Sequence, residues 1–435
     1  MVYSIESYGC NYEGDVVVLL MLLWNCAECK HPHPCDPLTP SELSFVRTKV
    51  QNSYPNQNLT FHYVTLDEPN KPEILSWQSS NPKTKAKAVS PPPRRASVIV
   101  RLQKQSLEIT VDLSTGSIVS TKVYQGHGYP MLTLGEIGVV TQLPFNYEPF
   151  KESLRKRGLN ISQVRCGAFT MGWFGETKTK RSVKVKCQYR NDTANFYARP
   201  IEGVAAVVDL DDMKIIGYND RYVVPVPKAE GTEYRASKLK PPFGPNLKGI
   251  TVTQDAQPGF TIDAHSVSWA NWVFHVGFDI RAGPIISLAS IYDLQKQKYR
   301  PVLYKGFISE LFVPYQDPTE EWYYATIFDT SEYGFGQFMS SLQPLTDCPP
   351  NAAFLDAYYA GSDGIPVKIA NAFCIFEKYA GDIMWRHTET EIPNEVINEV
   401  RSDVSLVVRT VSTVANYDYI TDWEFKPSGS IKLVV

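Results

Sequence analysis

Twice in this chain a threonine stands three positions before a glutamate, ahead of a helix-forming stretch, and each time a run of alternating strands follows. The first instance is Thr39-Pro40-Ser41-Glu42. Threonine caps the helix, proline fits its first turn, and glutamate reaches back to close a capping box. The pattern predicts a helix to about Val50, ending before Tyr54-Pro55. Residues 97–102, 107–113 and 117–123 then read as an antiparallel meander. Between helix and meander, 79–95 is rich in Pro, Lys and Ser and reads as an exposed loop. The order recurs from Thr133-Leu134-Gly135-Glu136. Here a helix over 149–157 ends at Gly158, and strands follow at 163–174, 182–189, 204–210 and 214–218. The two helix-then-meander units imply two small α+β domains, at 36–127 and 130–232.

Residues 233–249 lack periodicity and read as a linker. From 250 to 435, short apolar runs alternate with turns, which predicts a large antiparallel β-sandwich. The fold class is therefore two small α+β domains followed by a large antiparallel β-sandwich domain. The chain has 25 Tyr, 31 Pro and 12% aromatic residues, in keeping with a β-rich fold. Its net charge of −3 gives no electrostatic reason to expect nucleic acid. No apolar run is long enough for a membrane-spanning helix.

Residues 1–35 form an atypical leader. An apolar block covers 16–24, but Glu6, Glu13 and Asp15 precede it where an export signal carries Lys or Arg. A signal peptide and an unusual start both stay open. Cys26 and Cys29 with His31 and His33 have the letters of a zinc site, but no second Cys-x-x-Cys follows. The alternative is that the N-terminal cysteines, Cys10 and Cys35 included, are incidental to the leader. Cys166 and Cys187 fall on neighbouring predicted strands. They are either free buried thiols or a bridge closing about 20 residues, worth about 3 kcal/mol in chain-entropy terms. The sequons at Asn58, Asn160 and Asn191 favour glycosylation in an extracellular compartment.

One acid stands out. Asp329 is followed by an aromatic, glycine-punctuated stretch, and its neighbours Phe328, Tyr333 and Phe335 would desolvate it. Desolvation raises a carboxyl pKa and makes a general base; a plain structural turn is the competing reading.

Three stretches resemble copper amine oxidases of the plant type, in that family's order. They are Phe328-Asp329-Thr330-Ser331-Glu332-Tyr333-Gly334-Phe335-Gly336, the run from Phe376 to Trp385-Arg386-His387, and Asn416-Tyr417-Asp418-Tyr419. The resemblance covers about 36 to 430. It implies oxidative deamination of primary amines, mono- or diamine, by dioxygen, with copper and topaquinone as cofactors and a homodimeric assembly. Tyr417 is then the topaquinone precursor that forms a Schiff base with the amine, and Asp329 is the proton acceptor. Tyr315, Asn416 and Asp418 orient the cofactor. Ile327, Phe328, Tyr333, Phe335, Phe338, Val414 and Tyr419 line the substrate pocket. Cys348 and Cys374 match the family's catalytic-domain disulfide.

The sequence departs from the family pattern in three ways. Ser331 stands where glycine is usual. Ile327 replaces an aromatic that often gates the channel, which predicts looser access. The family holds copper with histidines downstream of the quinone, whereas all seven histidines here precede Tyr417. No residue is therefore assigned as a metal ligand, and His387 is given a packing role. The chain is read as C-terminally truncated. That reading predicts an unconverted Tyr417, strands such as 406–414 with exposed edges and faces, and an incomplete dimer interface. The alternative to an oxidase is a catalytically inactive homologue acting through binding. Location is expected to be extracellular, with the peroxisome as the alternative.

Overall fold

The computed structural model describes residues 33–79, 90–171, 180–239, 254, 257–323 and 325–435. The readings of the leader up to residue 32, of the loop at 80–89 and of the linker at 240–249 lie outside the described residues.

Helix α1 (Pro40–Ser53) begins as its sequence dictates. Glu42 N–H donates to Thr39 Oγ1 at 3.2 Å, and Thr39 N–H donates to Glu42 Oε2 at 2.8 Å. Its buried face, Leu43, Val46 and Val50, packs on a four-stranded antiparallel sheet through Phe61, Val98, Val100 and Ile109. The strands are β1 (Thr60–Asp67), β2 (Arg95–Leu102), β3 (Gln105–Asp112) and β4 (Ser117–Val123), in that spatial order. The sequence reading passed over β1 and over helix α2 (Lys71–Ser79). In β1 the pairing register shifts between Phe61 and Tyr63, so Phe61 and His62 are both buried and the alternation that signals a strand is broken.

The second unit repeats the plan. Thr133 and Glu136 close a second capping box at α3 (Leu134–Val140), and α4 (Glu148–Lys156) follows. The sheet is β5 (Val164–Thr170), β6 (Ser182–Tyr189), β7 (Val204–Asp209) and β8 (Lys214–Asp220), again in sequence order. Cys166 and Cys187 are directly opposed across β5 and β6 and are joined in a disulfide.

Two five-stranded antiparallel sheets make the sandwich. One holds β9 (Phe260–Asp263), β10 (Ser266–Trp269), β11 (Trp272–Asp279), β12 (Gly283–Asp293) and β13 (Lys298–Gly306). A short pair, β14 (Phe312–Pro314) and β15 (Thr326–Phe328), follows. The other sheet holds β16 (Ala353–Ala360), β17 (Pro366–Glu389), β18 (Ile397–Val414), β19 (Tyr417–Phe425) and β20 (Ile431–Val434). Trp272, Phe274 and Ile286 of the first sheet share one core with Phe373, Ile375, Leu406, Val408 and Phe425 of the second. The Phe274 and Phe425 rings stack 4.0 Å apart, which fixes how the sheets meet.

The expectation that 406–414 would be left exposed is corrected. Strand β18 pairs with β17 on one edge and with β19 on the other. Leu406 and Val408 face the sandwich core, whereas Val407 packs with Leu342, Cys348, Cys374 and Phe376 on the opposite face. The Cys348–Cys374 disulfide straps the loop over that face. The packing role given to His387 is also corrected. His387 lies on the outer part of β17 with its side chain exposed, near Glu389 and Trp385.

Candidate active site

Asp329 opens a five-residue turn at the end of β15, where the chain must reverse against the sandwich. Its N–H donates to Leu311 O at 2.9 Å, and Gly334 N–H closes the turn onto Asp329 O at 3.1 Å. The two glycines explain why this stretch folds so. Gly334 has φ +85°, and a Cβ on Gly336 would fall on the Asp279 carbonyl. With no Cβ in the way, the backbone lies along Ile280 and Arg281: Phe335 N–H donates to Arg281 O at 2.7 Å and Gln337 N–H to Ile280 O at 3.0 Å. The turn is thereby fixed to the first sheet of the sandwich.

Tyr417 is the first residue of β19, just past the two-residue hairpin tip Ala415-Asn416, and pairs with Val414. It is 37% exposed, and its hydroxyl lies 3.1 Å from that of Tyr315. Tyr315 arrives from beyond β14 and stacks on Trp322 at 4.4 Å. Burial, then Tyr417, raises the Tyr315 phenol above its usual range. Tyr419 donates its hydroxyl to Asp329 Oδ2. Asp329 is 3% exposed, and its carboxyl is raised chiefly by burial and by the charge of Glu310, against the lowering effect of the Tyr419 hydrogen bond. The arrangement places a shielded carboxylate one hydrogen bond from Tyr419, whose ring centroid is 6.1 Å from that of Tyr417.

The other candidates fall in two groups. Ile327, Tyr333, Phe335 and Val414 are buried in one apolar cluster, with Phe338 and Tyr419 packed against it. Ile327 is 5% exposed and points into that cluster, so it opens no wider path in this structure. Phe328 is exposed, as are Asn416 and Asp418; Asp418 Oδ1 accepts from Thr413 Oγ1 at 2.7 Å.

Sequence reasoning missed two carboxylates and a lysine. Glu332 accepts from Thr170 Oγ1 at 2.5 Å and from Phe328 N–H at 2.9 Å, and burial pushes it up to about 7. Glu310 accepts from Thr330 N–H at 3.0 Å and from the Ser331 hydroxyl, so Ser331 braces the turn where glycine was the family expectation. Lys186 lies over the rings of Trp322 and Phe169; burial pulls it down to about 6, while the ring faces favour its ammonium form. Glu332 had a signal, being three positions past Asp329. Glu310 and Lys186 come from distant segments and had none.

Three family models match in order. They are the copper amine oxidase N2 domain over residues 33–124, the N3 domain over 136–237 and the enzyme domain over 261–435. This chain belongs to the copper amine oxidase family. It is 56% identical over 407 residues to "Amine oxidase [copper-containing] alpha 2, peroxisomal" of Arabidopsis thaliana, covering 93% of this chain and 60% of that protein. It is 53% identical over 402 residues to "Primary amine oxidase" of Pisum sativum, covering 92% of this chain and 59% of that one. The chain thus spans about 60% of the length of the curated relatives it matches. A copper-containing benzylamine oxidase from Hansenula polymorpha shares the fold, with a TM-score of 0.81 at 22% identity over 92% of this chain and 63% of that one.

The family's two cofactors fit this chain differently. A quinone made from tyrosine fits Tyr417, whose ring is partly open and whose hydroxyl is already held by Tyr315. Copper does not fit the side chains gathered here. The partners of Tyr417 among the described residues are Tyr315 and Tyr419, and the histidines that do cluster, His33 and His275, lie against Asp36.

Proposed function

We propose that this protein acts in the oxidative deamination of primary amines, converting amine, O2 and water to aldehyde, NH3 and H2O2. Tyr417 is the topaquinone precursor and Asp329 the proton acceptor. The observation that carries the reading is the two hydrogen-bonded pairs Tyr315–Tyr417 and Tyr419–Asp329, with the Tyr417 and Tyr419 ring centroids 6.1 Å apart. Once formed, the quinone supplies a two-electron acceptor that no natural side chain offers. Tyr315 holds the ring's orientation through its hydroxyl, and Asn416 and Asp418 hold the strand on either side. Asp329 Oδ2 is the atom that takes the substrate proton, and its raised pKa matches it to that role. Ile327, Tyr333, Phe335, Phe338 and Val414 exclude water behind it.

The division into units at 36–127, 130–232 and 250–435, joined by a linker at 233–249, belongs to the same proposal. So does a homodimer. Tyr379, Ile383, Met384, Trp385 and Val400 are exposed along the outer parts of β17 and β18, an apolar surface that a second copy would cover. The sequons at Asn58, Asn160 and Asn191 and the two disulfides support an extracellular location, whereas the peroxisomal relative supports the other one.

The test is to supply the 435-residue chain with Cu2+ and air, treat it with phenylhydrazine and map the adduct by mass spectrometry. An adduct on Tyr417 supports the proposal, and an adduct on another tyrosine overturns it. A folded chain with no adduct favours a second reading, an inactive homologue acting through binding. That reading rests on the lack of histidine among the described partners of Tyr417.

A further inference from the structure

A second polar cluster lies where the first described residues meet the sandwich, and the proposed oxidation has no use for it. His33 and Asp36 come from the segment ahead of α1, and His275 comes from the middle of β11. The His33 and His275 rings are stacked 4.7 Å apart, and the His265 ring is 5.9 Å from that of His275. Each of His33, Asp36 and His275 offers a ligand atom, and these atoms lie within 4.8 Å of one another. Three imidazoles crowd here around a single carboxylate.

His275 is 2% exposed, and its hydrogen bonding is half complete. Its Nε2 lies 2.8 Å from Asp36 Oδ1, while its Nδ1 has no partner among the described residues. The Nε2 proton is shared with that carboxylate; an ion held jointly by His275 and Asp36 enters at Nε2 in place of this proton, and the ring N–H then lies on Nδ1. Asp36 Oδ2 accepts from the His33 N–H at 2.8 Å, so the carboxylate is itself held in place.

We propose that His33, Asp36 and His275 form a binding site for a divalent transition-metal ion of the zinc class, separate from the candidate active site. Two imidazole nitrogens and a carboxylate oxygen are the donor set such ions take, and three protein ligands leave a fourth position for water. Bonds of about 2.0–2.1 Å place tetrahedral ligands roughly 3.4 Å apart. The present spread therefore needs a side-chain rotation; His33 is the half-buried ligand, and its turning gives up the hydrogen bond that its Nδ1 accepts from the Cys35 N–H at 3.1 Å. The ion would clasp the segment ahead of α1 to β11, joining the first unit to the sandwich. This proposal stands whether or not Tyr417 is converted.

The experiment is calorimetric titration of the chelator-stripped 435-residue chain with Zn2+. The wild type, His33→Ala, Asp36→Asn and Tyr417→Phe are compared, with circular dichroism as the check on folding. The expected result is one Zn2+ bound by the wild type and by Tyr417→Phe, with affinity at least about tenfold weaker in His33→Ala. Asp36→Asn should weaken binding as well. Because His33 is half-buried, its truncation tests the site without emptying the core. Equal Zn2+ binding by wild type and His33→Ala, or no binding by wild type, overturns the proposal. Loss of binding in Tyr417→Phe alone places the ion elsewhere and overturns it too.

Discussion

The hydroxyls of Tyr315 and Tyr417 meet at 3.1 Å, although one residue follows the short strand β14 and the other begins β19. Neither ring is held by its immediate sequence neighbours. Tyr315 is set by its stack on Trp322, and Tyr417 by the pairing of its hairpin. If Tyr417 is the reacting group, Tyr315 works as its positioning residue. Tyr315→Phe should keep the stack and lose only the hydroxyl. The expected outcome is a drop of 10- to 100-fold in the rate of hydrazine capture or of turnover, on the order of that caused by misorienting a reactive group. Stability should change by only about 0.5–1.5 kcal/mol. An unchanged rate would remove Tyr315 from the site.

Asp329→Asn removes the proposed proton acceptor while conserving shape. Turnover should fall by about 10²- to 10⁴-fold, with substrate-analogue binding retained. The carboxyl pKa is raised by burial, so in the wild type the basic form is lost as pH falls through that raised value. Activity should therefore decline on the acid side, and the limb should vanish in Asp329→Asn. Steady-state kinetics from acid to neutral pH would show both effects.

Glu332 makes a prediction about stability alone. Its folded pKa of about 7 lies above the ordinary 4.5, so the folded state binds its proton more tightly than the unfolded state does. The contribution is fully present below about pH 4.5 and is lost as pH rises through about 7. A shift of that size corresponds to a few kcal/mol at most, and partial exposure lowers the expectation to about 1–3 kcal/mol. Denaturant titrations at pH 5 and pH 8 should show this loss in the wild type. Glu332→Gln should flatten it.

Two backbone positions respond in opposite directions. Ala415 has φ +54° at the hairpin tip, a region that costs an L-residue about 1–2 kcal/mol. Ala415→Gly relieves that strain but gives back chain entropy, for a net gain of about 0.5–1 kcal/mol. Gly336→Ala drives a methyl into the Asp279 carbonyl and should cost about 3 kcal/mol or more. Thermal unfolding of both variants checks the pair; a neutral Gly336→Ala would mean the turn has room to move.

The parts of the fold that were legible in the sequence are those whose signal is local. The capping boxes at Thr39 and Thr133 formed as read, because cap and glutamate lie within one turn of each other. The first meander was visible because burial alternates along most of β2, one face packed and the other more open. Strand β1 was not visible, because its bulge at Phe61 and His62 breaks the alternation. The coverage of β18 was also hidden, since it depends on β19 and on a disulfide-strapped loop from Pro344 onward. At the candidate site, the desolvation of Asp329 was readable from its aromatic neighbours. Glu310 beside the turn and Lys186 over Trp322 were not, because tertiary folding alone brings them there.

The second unit's apolar core does not stop at its own sheet. Phe150, Val164 and Val185 belong to the same cluster as Ile327, Tyr333 and Phe335, and the Tyr333 hydroxyl donates to Ala168 O at 3.1 Å. The consequence is that a module boundary drawn along the chain is not a boundary in cooperativity. Melting the sheet of β5–β8 would unroof the acid turn in the same event. A protease nick or a mutation in that unit, far along the chain from Asp329, would then register first at the acid turn.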